Sequence, residues 1–108
     1  MPGVFLIFEE QRKMEQKPFR IIEERIKNNW IAIQFFTKGG LFYFGLSTFI
    51  VDGGVGHPPY QQYPSYEEAK KSAYDRLINC HRSPNQQKIL QAFKFIKDFA
   101  QHDLFDEP

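Results

Sequence analysis

Apolar residues are densest between Asn29 and Val51, where two aromatic and β-branched segments flank a Thr-Lys-Gly-Gly sequence. Such residues suit the pleated, half-buried surface of a β-strand. Glycine accepts the positive φ angles that tight hairpin turns require. The pattern therefore predicts a β-hairpin over this stretch, with its turn at Lys38-Gly39 or at Gly39-Gly40.

Either turn places the same residues on each face of the hairpin. One face is wholly apolar and is predicted to be the core side. With the turn at Lys38-Gly39, it pairs Phe35 with Phe42, Ile33 with Phe44, and Ile31 with Leu46. The other face is mixed, and its large members are Trp30, Phe36, Leu41 and Tyr43. Because a sheet wetted on one side alternates more cleanly, we expect this second face to be partly covered, by the N-terminal segment, the C-terminal tail or another copy of the protein.

The segment Phe19–Lys27 fits both a helix and a strand. Pro18 and a near-helical spacing of apolar residues favour a helix. A turn at Asn28-Asn29 favours a strand. We predict the strand, because it puts the isoleucines of this segment on the core face already deduced. The result is a three-stranded antiparallel meander, to which the short apolar segment Val4–Phe8 is a candidate fourth strand or edge.

The residues that follow the hairpin predict a loop and then two helices. Asp52–Pro64 is rich in glycine, proline and tyrosine, which is typical of a long loop. Capping-box patterns open helices at Ser65 and Ser83. The first helix has an apolar stripe of Tyr66, Ala69, Ala73, Leu77 and Cys80. The second runs to about His102, with an inner face of Ile89, Ala92, Phe93, Ile96, Phe99 and Ala100. Leu90 and Phe95 lie off that face and indicate a second contact surface.

Together these elements predict a single α+β domain over residues 1–108, with a three- or four-stranded antiparallel meander sheet followed by two antiparallel helices packed on one face. Residues 9–18 are predicted to be loosely packed, and residues 103–108 form an acidic tail.

Composition narrows the class of protein. The chain has 108 residues, one cysteine and a formal net charge of +1. It contains no apolar run long enough to span a bilayer, and its N-terminus lacks the basic start of a signal peptide. We therefore expect a cytoplasmic protein without a membrane partner, and the net charge supplies no general attraction to nucleic acid.

No constellation of residues predicts catalysis, a metal or a cofactor. Cys80 lies on an apolar stripe and is predicted to be a buried structural thiol. The glycines after Asp52 are not followed directly by a helix, as phosphate-binding loops require. His57 shares their loop with Asp52, so a small enzyme or ligand-binding site at these two residues is one alternative.

The leading hypothesis is a non-enzymatic interaction or accessory module that binds another protein or forms a homodimer. Tyrosines recur at every third residue from Tyr60, among prolines, as on one face of an extended segment. Tyrosine offers rigid contact area at low entropic cost. The interaction candidates are Trp30, Phe36, Tyr43, His57, Tyr60 and Tyr63.

The other alternative is a nucleic-acid-associated regulator. Between Tyr66 and Lys97, seven basic residues outnumber three acidic ones. Such an excess can contact phosphates. The candidate contacts are Lys70, Lys71, Arg76 and Arg82. The order of meander, loop and a helix opening Ser-Tyr-Glu-Glu-Ala at Ser65 also resembles small antitoxins of the HicB type, over roughly residues 30–80. This resemblance is one of fold elements and implies the function of a regulator without assigning residues to it.

Overall fold

The computed structural model describes residues 17–105. Four strands are followed by three helices: β1 (Arg20–Ile26), β2 (Asn29–Lys38), β3 (Leu41–Ile50), β4 (Gly53–His57), α1 (Tyr66–Cys80), α2 (Pro84–Leu90) and α3 (Lys94–Phe105). The strands form one antiparallel sheet in the order β1-β2-β3-β4. The α+β prediction with an antiparallel meander is confirmed. The segment predicted at Val4–Phe8, most of residues 9–18 and the end of the acidic tail lie outside the described residues.

The central hairpin has the second of the two predicted turns. Gly39 and Gly40 form it with φ angles of 61° and 80°, so both turn positions need the left-handed backbone that glycine adopts freely. The paired residues are therefore Phe35–Phe44, Ile33–Leu46 and Ile31–Thr48, and the register predicted for a Lys38-Gly39 turn is wrong by two residues. Since side chains alternate with a period of two, both faces keep their predicted members.

The ambiguous segment is a strand, as predicted. β1 pairs with β2 so that Ile22 faces Ile33. Its turn lies at Lys27-Asn28 rather than at Asn28-Asn29, and Lys27 has a φ of 55°. Ile22 and Ile26 still pack against the core.

The prediction of an uninterrupted loop after Asp52 is wrong in its first half. Residues Gly53–His57 form β4, which pairs with β3 along its whole length. The turn between these strands contains Val51 at a φ of 60°, an unfavourable value for a β-branched residue. The Asn29 side chain holds this turn: its Oδ1 accepts the N–H of Val51 at 2.6 Å, and its Nδ2 donates to the Ile26 carbonyl oxygen at 3.2 Å.

Helix α1 begins where the sequence indicates and covers the sheet with its small residues. The Ser65 hydroxyl accepts the N–H of Glu68 at 3.2 Å. Ala69, Ala73 and Leu77 are fully buried, and the alanines let the helix lie close to the strands. Cys80, however, is exposed, so the prediction of a buried thiol is wrong. The helix ends at Cys80, and the non-helical backbone of the next residue, His81, turns that ring into the core instead.

The second predicted helix is two helices. The Ser83 capping box is present in full, but the chain leaves the helical path between α2 and α3. This break buries Leu90 and Phe95, which an unbroken helix would turn away from the inner face, and it exposes Ala92. The second contact surface predicted at Leu90 and Phe95 is therefore wrong.

Glu24 explains how the chain starts a new helix after the break. It faces the core side of β1, and its two carboxylate oxygens accept the N–H groups of Lys94 and Phe95, each at 2.7 Å. These are orphan donors of the first turn of α3, which a helix cannot satisfy internally. A carboxylate at this end is also favoured by the helix dipole.

Replacing Glu24 by alanine is expected to lower the free energy of unfolding by about 1–3 kcal/mol, because it leaves two amide donors without their acceptor. Urea denaturation measures the loss. Glu23, the exposed neighbour on the other face of β1, is the matched control, and its alanine variant should change stability by less than about 0.5 kcal/mol. Equal effects of the two substitutions would contradict the capping role of Glu24.

Candidate interaction surface

We call the face of the sheet opposite the helices the outer face. It carries several large apolar side chains. Ile21, at 51 % exposure, is its most open member. Trp30, Leu41, Tyr43 and Phe49 are half-buried. These side chains come from β1, β2 and β3. Trp30 pairs with Phe49 and Phe36 with Tyr43, and the rows of β2 and β3 between these two pairs hold smaller or polar residues.

Of the three outer-face residues predicted from the sequence, two are accessible. Trp30 and Tyr43 retain exposed area, whereas Phe36 is buried at 8 % exposure. Phe36 therefore offers little area for contact. Ile21 and Phe49 were not predicted as interaction residues, although the two-residue period of the strands puts both on this face.

The segment after β4 joins the outer face at Gly45. The Pro59 ring lies 3.7 Å from the position that a Cβ of residue 45 would occupy. A Cβ at residue 45 would be in ordinary van der Waals contact with this ring, so the segment packs directly on the sheet at this position. Tyr60 follows directly and is 68 % exposed.

The other tyrosines of this segment point inward. The Tyr63 ring stacks on Phe44 at a centroid distance of 5.7 Å, and its backbone exchanges two hydrogen bonds of 2.8 Å with Phe42. The Tyr66 ring meets Phe35 edge-on at 5.0 Å. The three tyrosines therefore do not share one face: Tyr60 is exposed, whereas Tyr63 and Tyr66 are half-buried and pack on core phenylalanines.

His57 lies at the end of β4 and faces the core side. Its ring stacks on Phe44 at 4.7 Å. Burial, and to a smaller extent the positive charge of Arg76, lower its pKa below the ordinary value. Its Nε2 is buried without a hydrogen-bond partner among the described residues. Asp52 lies in the turn at the opposite end of β4, so the structure does not bring together the two residues of the predicted ligand site.

A buried polar cluster around His81 was not predicted. Its Nε2 lies 2.7 Å from Thr48 Oγ1, and its Nδ1 lies 3.2 Å from the Gln86 amide nitrogen. That amide nitrogen also donates to the Ile50 carbonyl oxygen at 3.1 Å. Because an amide nitrogen can only donate, Nδ1 accepts, and the neutral ring carries its proton on Nε2 and donates it to Thr48. Burial lowers the pKa of His81, in agreement with a neutral ring that connects β3, α1 and α2.

The four predicted nucleic-acid contacts do not form one surface. At 100° per residue, Lys70 and Arg76 lie on opposite flanks of the buried stripe of α1, and Lys71 lies on its far side. Two of the lysines are already paired: Lys70 Nζ lies 3.4 Å from Glu67, and Lys71 Nζ 2.8 Å from Asp75. Arg82 is exposed beyond the helix end. A continuous basic footprint is therefore not formed by these residues.

A groove of about 350 Å³ lies between β1, α1 and α3. Its walls include three cations and two carboxylates, namely Arg20, Lys70, Lys94, Glu24 and Asp98. Lys70 Nζ sits 5.4 Å from the centre of the Tyr66 ring. Glu24 is already engaged by the start of α3, and the mixed charges favour no single ligand class.

Within residues 17–105, no three histidine, cysteine, aspartate or glutamate side chains are grouped so that they could hold a metal ion. None of the helices in this part of the chain is long and apolar enough to cross a membrane.

Comparison with known proteins adds no assignment: no family model, no curated protein and no solved structure matches the chain. The resemblance to antitoxins therefore stays a prediction.

Proposed function

We propose that this chain is a protein-interaction module that binds a protein partner with the outer face of its sheet. The observation that carries the proposal is the set of partly exposed apolar side chains, among them Ile21, Trp30, Tyr43 and Phe49, that three adjacent strands present on one face. Apolar side chains grouped on one face of a domain mark interaction sites more often than single scattered ones do.

The chemistry of the patch suits a protein partner. Trp30 and Tyr43 combine a large apolar surface with a polar atom that can hydrogen-bond at the edge of a contact. These two residue types are enriched among the side chains that dominate binding energies. Exposed polar residues, Glu23, Arg25, Gln34 and Ser47, lie on the same face. Gln34 and Ser47 lie between the Trp30–Phe49 pair and the Phe36–Tyr43 pair, so they supply hydrogen-bonding groups between the two apolar pairs, and interfaces commonly combine apolar contacts with hydrogen bonds.

The segment at Pro59 and Tyr60 extends the patch. Pro59 packs on Gly45 within the outer face, which places the exposed Tyr60 next to it along the chain. The two regions that the sequence singled out separately, the second sheet face and the tyrosine-containing segment, therefore adjoin through these residues.

Photo-crosslinking tests the surface directly, because it captures a partner of any identity. A benzophenone amino acid placed at Tyr43 is expected to give discrete cross-linked products in extracts of the source cells. The same amino acid at Lys97, an exposed position on α3, is the control and should give none of these products. Identical products from both positions, or none from Tyr43, would contradict the proposal.

Once a partner is captured, Trp30→Ala is expected to weaken its binding at least about tenfold, because buried tryptophans commonly contribute this much to an interface. Trp30→Phe should retain most of the affinity. Titration calorimetry or surface plasmon resonance measures both, and near-ultraviolet circular dichroism checks that each variant is folded. Unchanged affinity in Trp30→Ala would show that the outer face is not the binding surface.

A further inference from the structure

The outer edge of the sheet at β4 has free backbone hydrogen-bonding groups. In the part of the chain that the structure describes, β4 pairs only with β3. Ile50 and Gly53 flank a two-residue turn and are opposite each other, which makes them a hydrogen-bonded pair. By alternation, Gly54 and Gly56 direct their N–H and C=O groups away from β3. Both glycines are exposed, so these groups are accessible to another strand.

The two edges of the sheet differ in how well their side chains protect them from pairing with a further strand. Edge strands are commonly protected by charged side chains, including charges that point toward the core. The edge strand β1 carries Arg20, Glu23, Glu24 and Arg25. The sequence of β4, Gly-Gly-Val-Gly-His, has no acidic residue, lysine or arginine. Its outward-directed positions also lack side chains altogether, which leaves the backbone unobstructed.

We propose that β4 pairs with β4 of a second copy of this chain, antiparallel about a two-fold axis at Val55. Gly54 of each copy is then opposite Gly56 of the other, and the two pairs form four N–H···O hydrogen bonds. The two four-stranded sheets become one sheet of eight strands. This surface is separate from the outer face, and the inference does not rest on the proposed function.

The flanking residues select this register. Centred on Val55, the register pairs all five residues of each β4, Gly53–His57, with those of the other copy. In the nearest other registers that keep Gly54 and Gly56 as the hydrogen-bonding residues, the partner of each residue moves by two positions. Shifting one way places Pro58, which has no N–H to donate, opposite Gly54. Shifting the other way places Asp52, a turn residue, opposite Gly56. The Val55 register therefore forms more bonds than either neighbour.

Disulfide trapping tests the register directly. Val55 and its copy form a non-hydrogen-bonded pair, whose Cα atoms lie about 4.5 Å apart, within the range that a disulfide spans. Val55→Cys in a Cys80→Ser background is expected to give a covalent dimer on mild oxidation. Glu23→Cys in the same background places a thiol on β1 and is the matched control. Cross-linking of Val55→Cys no greater than that of Glu23→Cys would overturn the proposal.

Gly56→Pro provides a second test. It removes an N–H that faces away from β3, so it costs no bond of the ladder, and the nearest atom to a Cβ at this position is 4.0 Å away. The symmetric interface loses two of its four bonds. The dimer dissociation constant, measured by sedimentation equilibrium, should therefore rise at least about tenfold. Far-ultraviolet circular dichroism confirms the fold of the variant.

The outcomes separate this inference from the proposed function. A wild-type chain that remains monomeric at all accessible concentrations overturns edge pairing and leaves the outer face to be tested by its own variants. A dimer that resists Gly56→Pro but is lost in Trp30→Ala forms through the outer face, which also overturns edge pairing. A dimer lost in Gly56→Pro and retained in Trp30→Ala supports it.

Discussion

Replacing Leu90 by alanine is expected to lower the free energy of unfolding by about 2–5 kcal/mol, the range for removing a buried leucine side chain. Leu90 is at 0 % exposure and belongs to the core cluster with Phe93 and Ile96. It comes to lie there because the helical path is interrupted between α2 and α3. Urea denaturation monitored by Trp30 fluorescence gives the change.

Ala92 is the control for this prediction, because a continuous helix would reverse the burial of Ala92 and Leu90. With Phe93 and Ile96 facing inward, an unbroken helix would put Ala92 inside and Leu90 outside. In the structure Ala92 is exposed, so Ala92→Lys should change stability by less than about 0.5 kcal/mol. A small effect at Leu90 together with a large one at Ala92 would show that residues 84–105 form a single helix.

Replacing His81 by alanine is expected to cost about 2–4 kcal/mol at neutral pH. The substitution leaves a cavity in the core and removes a hydrogen-bond partner from both Thr48 and Gln86. His57→Ala, at the half-buried histidine that stacks on Phe44, should cost less, since its ring makes no hydrogen bond through Nε2.

The pH dependence of stability gives a second readout of His81. Burial lowers the pKa of His81 in the folded protein, whereas in the unfolded chain it has the ordinary value of about 6.5. Below that pH the unfolded state binds a proton that the folded state excludes. Stability therefore falls as pH decreases through about 6.5 and continues to fall until the folded-state pKa is reached.

A single such proton gives a slope of at most about 1.4 kcal/mol per pH unit. His81→Ala should reduce the slope measured between pH 7.5 and 5.5. His57→Gln should remove a further part, because burial and Arg76 lower the pKa of His57 as well. A wild-type slope retained in His81→Ala would contradict a buried, neutral imidazole at position 81.

The faces of the sheet could be predicted from the sequence, because alternation survives a shift of register by two residues. Ile33 faces the core whether its partner is Phe44, as a Lys38-Gly39 turn requires, or Leu46, as found. The sequence allowed two positions for the turn, Lys38-Gly39 and Gly39-Gly40. The observed turn places both of its residues at positive φ, which Gly39 and Gly40 accept and Lys38 would resist.

Features that depend on distant residues could not be predicted. The glycines of β4 have little side-chain pattern to show a strand, and their pairing with β3 rests on backbone hydrogen bonds. The start of α3 is set by Glu24, a residue 70 positions earlier in the chain than Lys94. His81 is buried by a change of backbone direction at the end of α1, and no helical periodicity reports on a residue outside the helix.

For the candidate surface, the sequence identified Trp30, Tyr43 and Tyr60 but not their arrangement. Even spacing along an extended segment suggested that Tyr60 and Tyr63 share a face. The segment instead bends so that Tyr63 pairs with Phe42 as an isolated bridge, and the ring stacks inward on Phe44. A bend in an irregular segment is fixed by such contacts, which spacing alone does not encode.

The order of elements has a consequence for synthesis on the ribosome. In residues 17–105 all four strands precede the helices, so this side of the sheet is synthesised before the helices that cover it. Ile96, a fully buried residue of the core cluster, follows the end of β4 by 39 positions. At translation rates of about 5–20 residues per second, this interval lasts roughly 2–8 s. During that time the helices cannot cover the phenylalanines and isoleucines on this side of the nascent sheet, and we expect chaperones that bind emerging chains to recognise them.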